Sequence, residues 1–151
     1  MNTKGEIRRL RKEDFQPWLK LWSLYLEFYK QPLNEEVAQA TFNRLVYSNA
    51  GMNALVYTEG EEVIGVVHYI FHASTWTHGN YCYLQDLYVL AEHRGKGIAT
   101  QLIESVYADA EKLNCSRVYW LTHESNKTGI SLYNKVADNA GFIQFRKNLK
   151  Q

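Results

Sequence analysis

Hydrophobic side chains near the start of the chain recur every three or four positions, the spacing of one helical face. The pattern predicts a helix that begins after Asp14, which would cap it, and ends at Pro32. A second helix is predicted over residues 35–48, with Val37, Thr41, Leu45 and Phe42 facing inward. The residues that recur at this spacing in the first helix are Trp18, Leu21, Trp22, Tyr25, Phe28 and Tyr29.

The middle of the chain changes to the shorter period of β-strands, and the last third returns to helices. A first edge strand is predicted over residues 6–11, and strands over residues 53–58, 63–73 and 81–89 form a meander. Helices over residues 97–114 and 127–139 then alternate with strands at 117–122 and 141–148. A strand reached through a crossover helix lies parallel to the strand before it. The pattern therefore predicts a mixed, mostly antiparallel sheet in one α/β (α+β) domain over residues 1–151.

Composition excludes several classes of protein. The chain is 46% hydrophobic and 22% charged with a net charge of +1, which is typical of a globular domain and gives no field to recruit nucleic acid or an anionic membrane. No apolar run approaches the roughly 20 residues that span a bilayer, and the first residues do not resemble a signal peptide. The two cysteines, Cys82 and Cys115, lack metal-ligand spacing and are expected to be free thiols. A cytoplasmic enzyme or binding domain is the expectation.

Residues 84–101 combine a strand, a basic glycine turn and a helix start. Gly95 and Gly97 can adopt positive φ, and the first amides of the helix are left free to meet an anion, so the pattern predicts a phosphate cradle flanked by Arg94 and Lys96. A P-loop signature is absent. A dinucleotide fingerprint needs a third glycine where Thr100 stands, and an acidic residue on the following strand, which is also lacking.

The spacing Arg94, Gly97, Ala99 after a Leu-Tyr-Val strand end resembles the acetyl-coenzyme A signature of the GNAT acetyltransferase superfamily. A second family pattern follows, in which Asn126 precedes Tyr133 by seven residues. The delayed Gly-Phe pair at 141–142 resembles the subgroup of the yeast histone, polyamine and D-amino-acid acetyltransferases, and residues 83–89 resemble spermidine/spermine acetyltransferases. The resemblance implies the GNAT fold: a twisted sheet of about six to seven strands with helices on both faces, whose central strands splay to admit coenzyme A like a missing strand.

The resemblance also assigns roles to residues. Acetyl-coenzyme A is the implied co-substrate, and an amide at Leu87 or Val89 would stabilise the developing oxyanion. Tyr133 is the implied general acid for the leaving thiolate, although a tyrosine at helical spacing is also a common core residue. The cofactor-binding residues are predicted to be Leu87, Tyr88, Val89, Arg94, Gly95, Lys96, Gly97, Ile98, Ala99, Asn126 and Tyr133.

The general base is less well defined. In the polyamine relatives a glutamate stands at the position of Gln85, and glutamine cannot accept a proton as a base. Asp86 could act through water, bind a cationic amine or serve as a structural hydrogen-bonding group, and His123 and Glu124 are weaker alternatives. Aromatic residues of the first helix and Trp76 could surround the amine. The predicted substrate-binding residues are Glu27, Tyr29, Gln85 and Asp86.

The resulting hypothesis is an acetyl-coenzyme A-dependent N-acetyltransferase acting on a small primary amine such as a polyamine or amino acid. A protein or histone lysine acetyltransferase and a non-catalytic acyl-coenzyme A-binding module are the alternatives, the latter favoured only by Gln85. His68 and His72 share one face of a strand, but four residues span about 13 Å, too far for one ion. No metal, nucleic acid or membrane partner is expected, and a homodimer is left open.

Overall fold

Five strands form one mixed sheet in the computed structural model of this protein, which describes residues 5–151. The strands are β1 (Gly5–Arg9), β2 (Met52–Glu59), β3 (Glu62–His72), β4 (Tyr81–Val89) and β5 (Arg117–Tyr119). They lie in chain order across the sheet, with the first four antiparallel to their neighbours and β5 parallel to β4. The predicted strand over residues 81–89 is confirmed in both bounds, and so is the parallel crossover into β5.

Four α-helices accompany the sheet: α1 (Phe15–Phe28), α2 (Glu35–Val46), α3 (Ile98–Lys112) and α4 (Lys127–Val136). Trp18 of α1 bonds to His68 on β3, whereas Tyr69, the next residue of β3, bonds to Asp109 of α3. Because successive side chains of a strand point to opposite faces, α1 and α3 cover opposite faces of the sheet. Helices on both faces are therefore confirmed.

The core lies between these helices and the central strands. Strands β2 and β3 are buried along nearly their whole length. Helix α3 contributes the fully buried Leu102, Ile103 and Val106, and α1 contributes Trp18 and Leu21. No helix within residues 5–151 is long and apolar enough to cross a membrane.

Three expectations need correction. The expectation of six to seven strands is wrong for the described chain: residues 137–151 form no helix and pair with no strand, because apolar residues in a sequence do not themselves supply a hydrogen-bonding partner. The inward face of α2 is formed by Ala38, Phe42 and Leu45, while Val37 is 55% exposed. Asp14 makes no side-chain cap on α1, and its carboxylate instead accepts from Arg8 and from the Arg11 amide.

The chain divides into two compact units, Met1–Leu121 and Thr122–Gln151. The first, described from residue 5, contains the whole sheet with α1, α2 and α3. The second contains α4 and the residues that follow it, which form no helix or strand. Helix α4 ends at Val136, three residues earlier than expected, because Ala137 has extended dihedral angles. The expectation of one domain over residues 1–151 stays a prediction.

Candidate functional site

The turn between β4 and α3 has the backbone that a phosphate cradle requires. Gly95 and Gly97 have φ of +79° and +80°, in the left-handed region that favours glycine. A Cβ built on either residue would meet no atom within 4 Å, so the space beside both backbones is open. The turn can therefore bring its backbone close to a ligand.

Helix α3 begins at this turn without a side-chain cap. Its first backbone bond runs from the Gln101 N–H to the Gly97 carbonyl at 3.1 Å, so the amides of Ile98, Ala99 and Thr100 precede the helical ladder. The N-terminus of such a helix carries about half a positive charge. An anionic group with several acceptor oxygens, such as a pyrophosphate, fits this cradle.

The basic side chains of the cradle differ in placement. Arg94 donates from Nε to the Val89 carbonyl at 3.0 Å, and its guanidinium lies 5.2 Å from the ring centroid of Tyr88. These contacts tie the turn to the end of β4. Lys96 is exposed, and its long side chain can follow a bound anion.

Strand β4 loses its neighbour before it reaches the cradle. It pairs with β5 only from Tyr81 to Tyr83, so residues 84–89 continue with no partner on β5. Strand β4 therefore runs on beyond the end of β5 at Tyr119, and the predicted splay of the two strands stays a prediction. This arrangement leaves one edge of β4 beside Leu87 and Val89 available to a further extended ligand.

An irregularity in β4 lies just beyond the residues that pair with β5. His68 of β3 pairs with Asp86 and Tyr69 pairs with Leu84, so Gln85 is an extra residue that forms a β-bulge. Gln85 is exposed, whereas the Asp86 side chain is 15% exposed. The bulge thus places the half-buried Asp86 carboxylate on the part of β4 that has no partner on β5.

Asp86 is held by a side chain that the sequence analysis did not include in the site. The Asp86 Oδ2 lies 2.9 Å from Nδ1 of His68, and Nε2 of His68 accepts from the Trp18 indole at 3.0 Å. His68 is therefore not a solvent-facing histidine but a buried link, only 3% exposed. The sequence indicates which face of β3 carries His68, but it does not indicate the register between β3 and β4 that brings His68 to Asp86.

One aromatic side chain, Tyr25, bonds to this carboxylate and belongs to a cluster of rings. Tyr25 stacks on Trp22 at a centroid distance of 5.3 Å, lies tilted against Tyr29 at 4.9 Å and meets Tyr88 edge-on at 6.4 Å. Burial raises the pKa of Tyr25 far above its usual value, and the charge of Asp86 and a hydrogen bond to it raise it further. Tyr25 therefore keeps its proton at neutral pH and can donate it in a hydrogen bond to the carboxylate.

The other predicted substrate residues are spread around this set. Tyr29 packs against Tyr25, while Glu27 is exposed at the end of α1. Trp76 is 84% exposed in the loop between β3 and β4. The assignment of Glu27, Tyr29, Gln85 and Asp86 to the amine stays a prediction.

The second predicted motif belongs to the unit Thr122–Gln151. Asn126 is the N-cap of α4: its Oδ1 accepts from the Gly129 amide at 3.2 Å and its Nδ2 donates to the Thr122 hydroxyl at 2.9 Å. Tyr133 lies half-buried two turns along the helix. Their roles toward coenzyme A stay predictions.

Comparisons with known proteins agree with this geometry. The model of a family described as "Acetyltransferase (GNAT) family" matches residues 18–137. The chain belongs to this family. It is 34% identical to the D-amino-acid N-acetyltransferase HPA3 of Saccharomyces cerevisiae over 150 residues, which cover 98% of this chain and 93% of that protein.

More distant similarities extend this result. The thialysine N-epsilon-acetyltransferase of Mus musculus is 34% identical over 94 residues, 59% of this chain and 55% of that protein. A solved aminoglycoside N-acetyltransferase in complex with CoA superposes with a TM-score of 0.84 over 98% of this chain and 97% of its own, at 15% identity. The latter shows that the fold is shared.

Family membership makes this protein an acetyl-coenzyme A-dependent N-acetyltransferase. The residues present fit that co-substrate, because the open glycine cradle suits its pyrophosphate and the unpaired edge of β4 suits the amide-bearing arm. When bound, acetyl-coenzyme A supplies the acetyl group as an activated thioester.

Proposed function

We propose that this acetyltransferase acts on a primary amine of a small molecule, an amino acid or polyamine, which it recognises as an ammonium at Asp86. The observation that carries this proposal is the Asp86 carboxylate on β4 beyond the end of β5, hydrogen-bonded to Tyr25, whose ring in turn contacts Tyr29 and Tyr88. A carboxylate bordered by aromatic faces attracts an ammonium through ion-pair and cation–π contacts. D-amino acids and thialysine, the substrates named for two relatives, both carry this group.

The bound ammonium must lose a proton before it can react. An amine with a pKa near 10.4 is neutral in only about one molecule in 2,500 at pH 7, a deficit of roughly 4.6 kcal/mol. Asp86 accepts this proton through water in our proposal, because Gln85 cannot. Tyr133 donates a proton to the departing sulfur, and the amide of Leu87 or Val89 faces the carbonyl oxygen.

Coenzyme A is held in this proposal by three groups of residues. The β4 edge contacts the pantetheine arm, the cradle contacts the pyrophosphate, and the motif on α4 contacts the arm near its sulfur. These residues are Leu87, Tyr88, Val89, Arg94, Gly95, Lys96, Gly97, Ile98, Ala99, Asn126 and Tyr133. We further propose a cytoplasmic enzyme of one domain that forms a homodimer.

The experiment is release of free thiol from acetyl-coenzyme A with a panel of amines: spermidine, thialysine, D-phenylalanine, kanamycin and a histone-tail peptide. Tyr133→Phe is compared with the native protein, and Tyr47→Phe, which changes a tyrosine that is 66% exposed directly after α2, is the matched control. We expect turnover of a small amine that falls by roughly ten- to ten-thousand-fold in Tyr133→Phe and stays native in Tyr47→Phe.

Other results would replace the proposal. Turnover of the histone-tail peptide alone would support a protein lysine acetyltransferase. Tight binding of coenzyme A with no thiol release on any amine would support a binding module. Equal rates in Tyr133→Phe and Tyr47→Phe would remove Tyr133 as the general acid.

A further inference from the structure

The buried contacts of His68 determine where its proton lies. An indole N–H can only donate a hydrogen bond, so the 3.0 Å contact with Trp18 requires a lone pair on Nε2 of His68. The ring proton must then be on Nδ1, which points at Asp86 Oδ2 at 2.9 Å. His68 is thereby held as the neutral Nδ1–H tautomer and donates to the carboxylate.

Protonation of His68 would break this arrangement. A second proton on Nε2 would face the Trp18 N–H, placing two donors against each other in a site where Trp18 and His68 are 0% and 3% exposed. The other groups around the ring are Trp22, whose centroid lies 5.3 Å away, and Asp86 itself. The indole therefore opposes formation of the imidazolium that Asp86 alone would favour.

Within residues 5–121, no Lys or Arg nitrogen lies within 4.0 Å of the Asp86 carboxylate. Its hydrogen-bond partners include His68 and the Tyr25 hydroxyl. Neutral donors orient a carboxylate without neutralising it. The full negative charge of Asp86 is then available to an incoming ammonium.

We propose that His68 is a positioning residue, locked by Trp18 as a neutral donor so that it fixes Asp86 in place while leaving its charge for the substrate amine. The relay Trp18, His68, Asp86 crosses from α1 through β3 to β4. The role assigned to Asp86 here rests on the proposed function, whereas the tautomer of His68 follows from hydrogen bonding alone. The two parts can be tested separately.

The tautomer is tested first by long-range ¹H–¹⁵N correlation spectra of the histidine rings in the native protein, with the His68 signals assigned by their loss in His68→Asn. We expect the Nδ1–H tautomer with a lone pair on Nε2, as the two hydrogen bonds require. In Trp18→Phe, Nε2 is freed and the His68 signals should become those of a titrating ring. A native Nε2–H tautomer or an imidazolium would overturn the proposal.

The positioning role is tested by kinetics with the amine that is turned over best in the thiol-release panel. His68→Leu removes the donor, and we expect the KM for the amine to rise by about 10- to 100-fold, with the KM for acetyl-coenzyme A within about twofold of native. His68→Asn, which retains an N–H near Nδ1, should show a smaller rise, and His78→Leu, on an exposed loop, is the control.

Trp18→Phe supplies a second readout, which does not require loss of His68. An imidazolium facing Asp86 would neutralise it, so the amine KM of Trp18→Phe should rise as the pH falls from 8 to 6 relative to the native profile. An amine KM in His68→Leu equal to that of His78→Leu would contradict the positioning role and leave acetyl transfer intact. Absence of turnover on every amine would contradict the proposed function, and the spectra would still decide the tautomer.

Discussion

Gly97 offers a sharp test of the cradle, because its backbone conformation disfavours a side chain while the space beside it is open. Its φ of +80° disfavours any L residue, at a cost of about 1–2 kcal/mol. The space beside it is open, since a Cβ would meet no atom within 4 Å. Gly97→Val should therefore fold, with a Tm lower by about 2–8 °C for a chain of this size.

The effect of Gly97→Val on coenzyme A binding should be larger than its effect on stability. The valine side chain would occupy the space in which a pyrophosphate approaches the amides of Ile98 and Ala99. A hydrogen bond to a charged group contributes about 1.5–3 kcal/mol, so loss of one such bond weakens binding by roughly 10- to 150-fold. Isothermal titration with coenzyme A and a thermal melt measure the two quantities on the same sample.

Gly141 provides the matched control. It has φ of +81° and, like Gly97, no atom within 4 Å of a built Cβ, but it follows α4 in the sequence and is not one of the predicted cofactor-binding residues. We expect Gly141→Val to bind coenzyme A with native affinity. A folded Gly97→Val protein that binds coenzyme A as tightly as Gly141→Val would refute the cradle.

Three further predictions concern stability. Burial of Asp14 opposes its ionisation, but the Arg8 hydrogen bond and the Arg11 amide outweigh burial and lower the pKa of Asp14. The charged Asp14 therefore stabilises the fold above about pH 4, and this contribution is lost as the pH falls through the folded pKa. In Asp14→Asn, the free energy of urea unfolding should change less with pH over this range. Leu102→Ala, at a fully buried position, should lower the free energy of urea unfolding by about 2–5 kcal/mol. Leu113→Ala, at a position that is 57% exposed, should lower it by less than about 0.5 kcal/mol. Equal losses in the two variants would contradict the packing described for α3. Tyr69→Phe removes the 2.5 Å bond to Asp109 and should lower the unfolding free energy by about 0.5–3 kcal/mol; an unchanged value would show that the bond adds no stability.

Local patterns in the sequence predict the elements well where the pattern and the turn chemistry agree. The bounds of β4 were predicted in full, and α3 begins one residue after the expected glycine. For α2, Phe42 and Leu45 face inward as predicted, but Val37 does not, because positions 37 and 38 both fit the helical spacing of this face. The structure buries the small Ala38 and exposes Val37, a choice made by tertiary packing.

Features that depend on pairing between distant segments could not be predicted from the pattern. Residues 141–148 have strand-like alternation, yet a strand also requires a neighbour with free hydrogen-bonding groups. The bulge at Gln85 and the pairing of His68 with Asp86 depend on the register between β3 and β4, which a single sequence does not specify. The cradle could be predicted because its glycines, basic residues and helix start are contiguous in sequence.

The central claim is that Asp86 recognises the amine of the substrate. Its most direct test is the steady-state KM for the amine in Asp86→Asn, measured by thiol release beside Asp138→Asn, which changes an exposed aspartate on the segment after α4. We predict an amine KM raised by at least about tenfold in Asp86→Asn with the KM for acetyl-coenzyme A unchanged, and native values in Asp138→Asn. Native KM for the amine in Asp86→Asn would contradict the account.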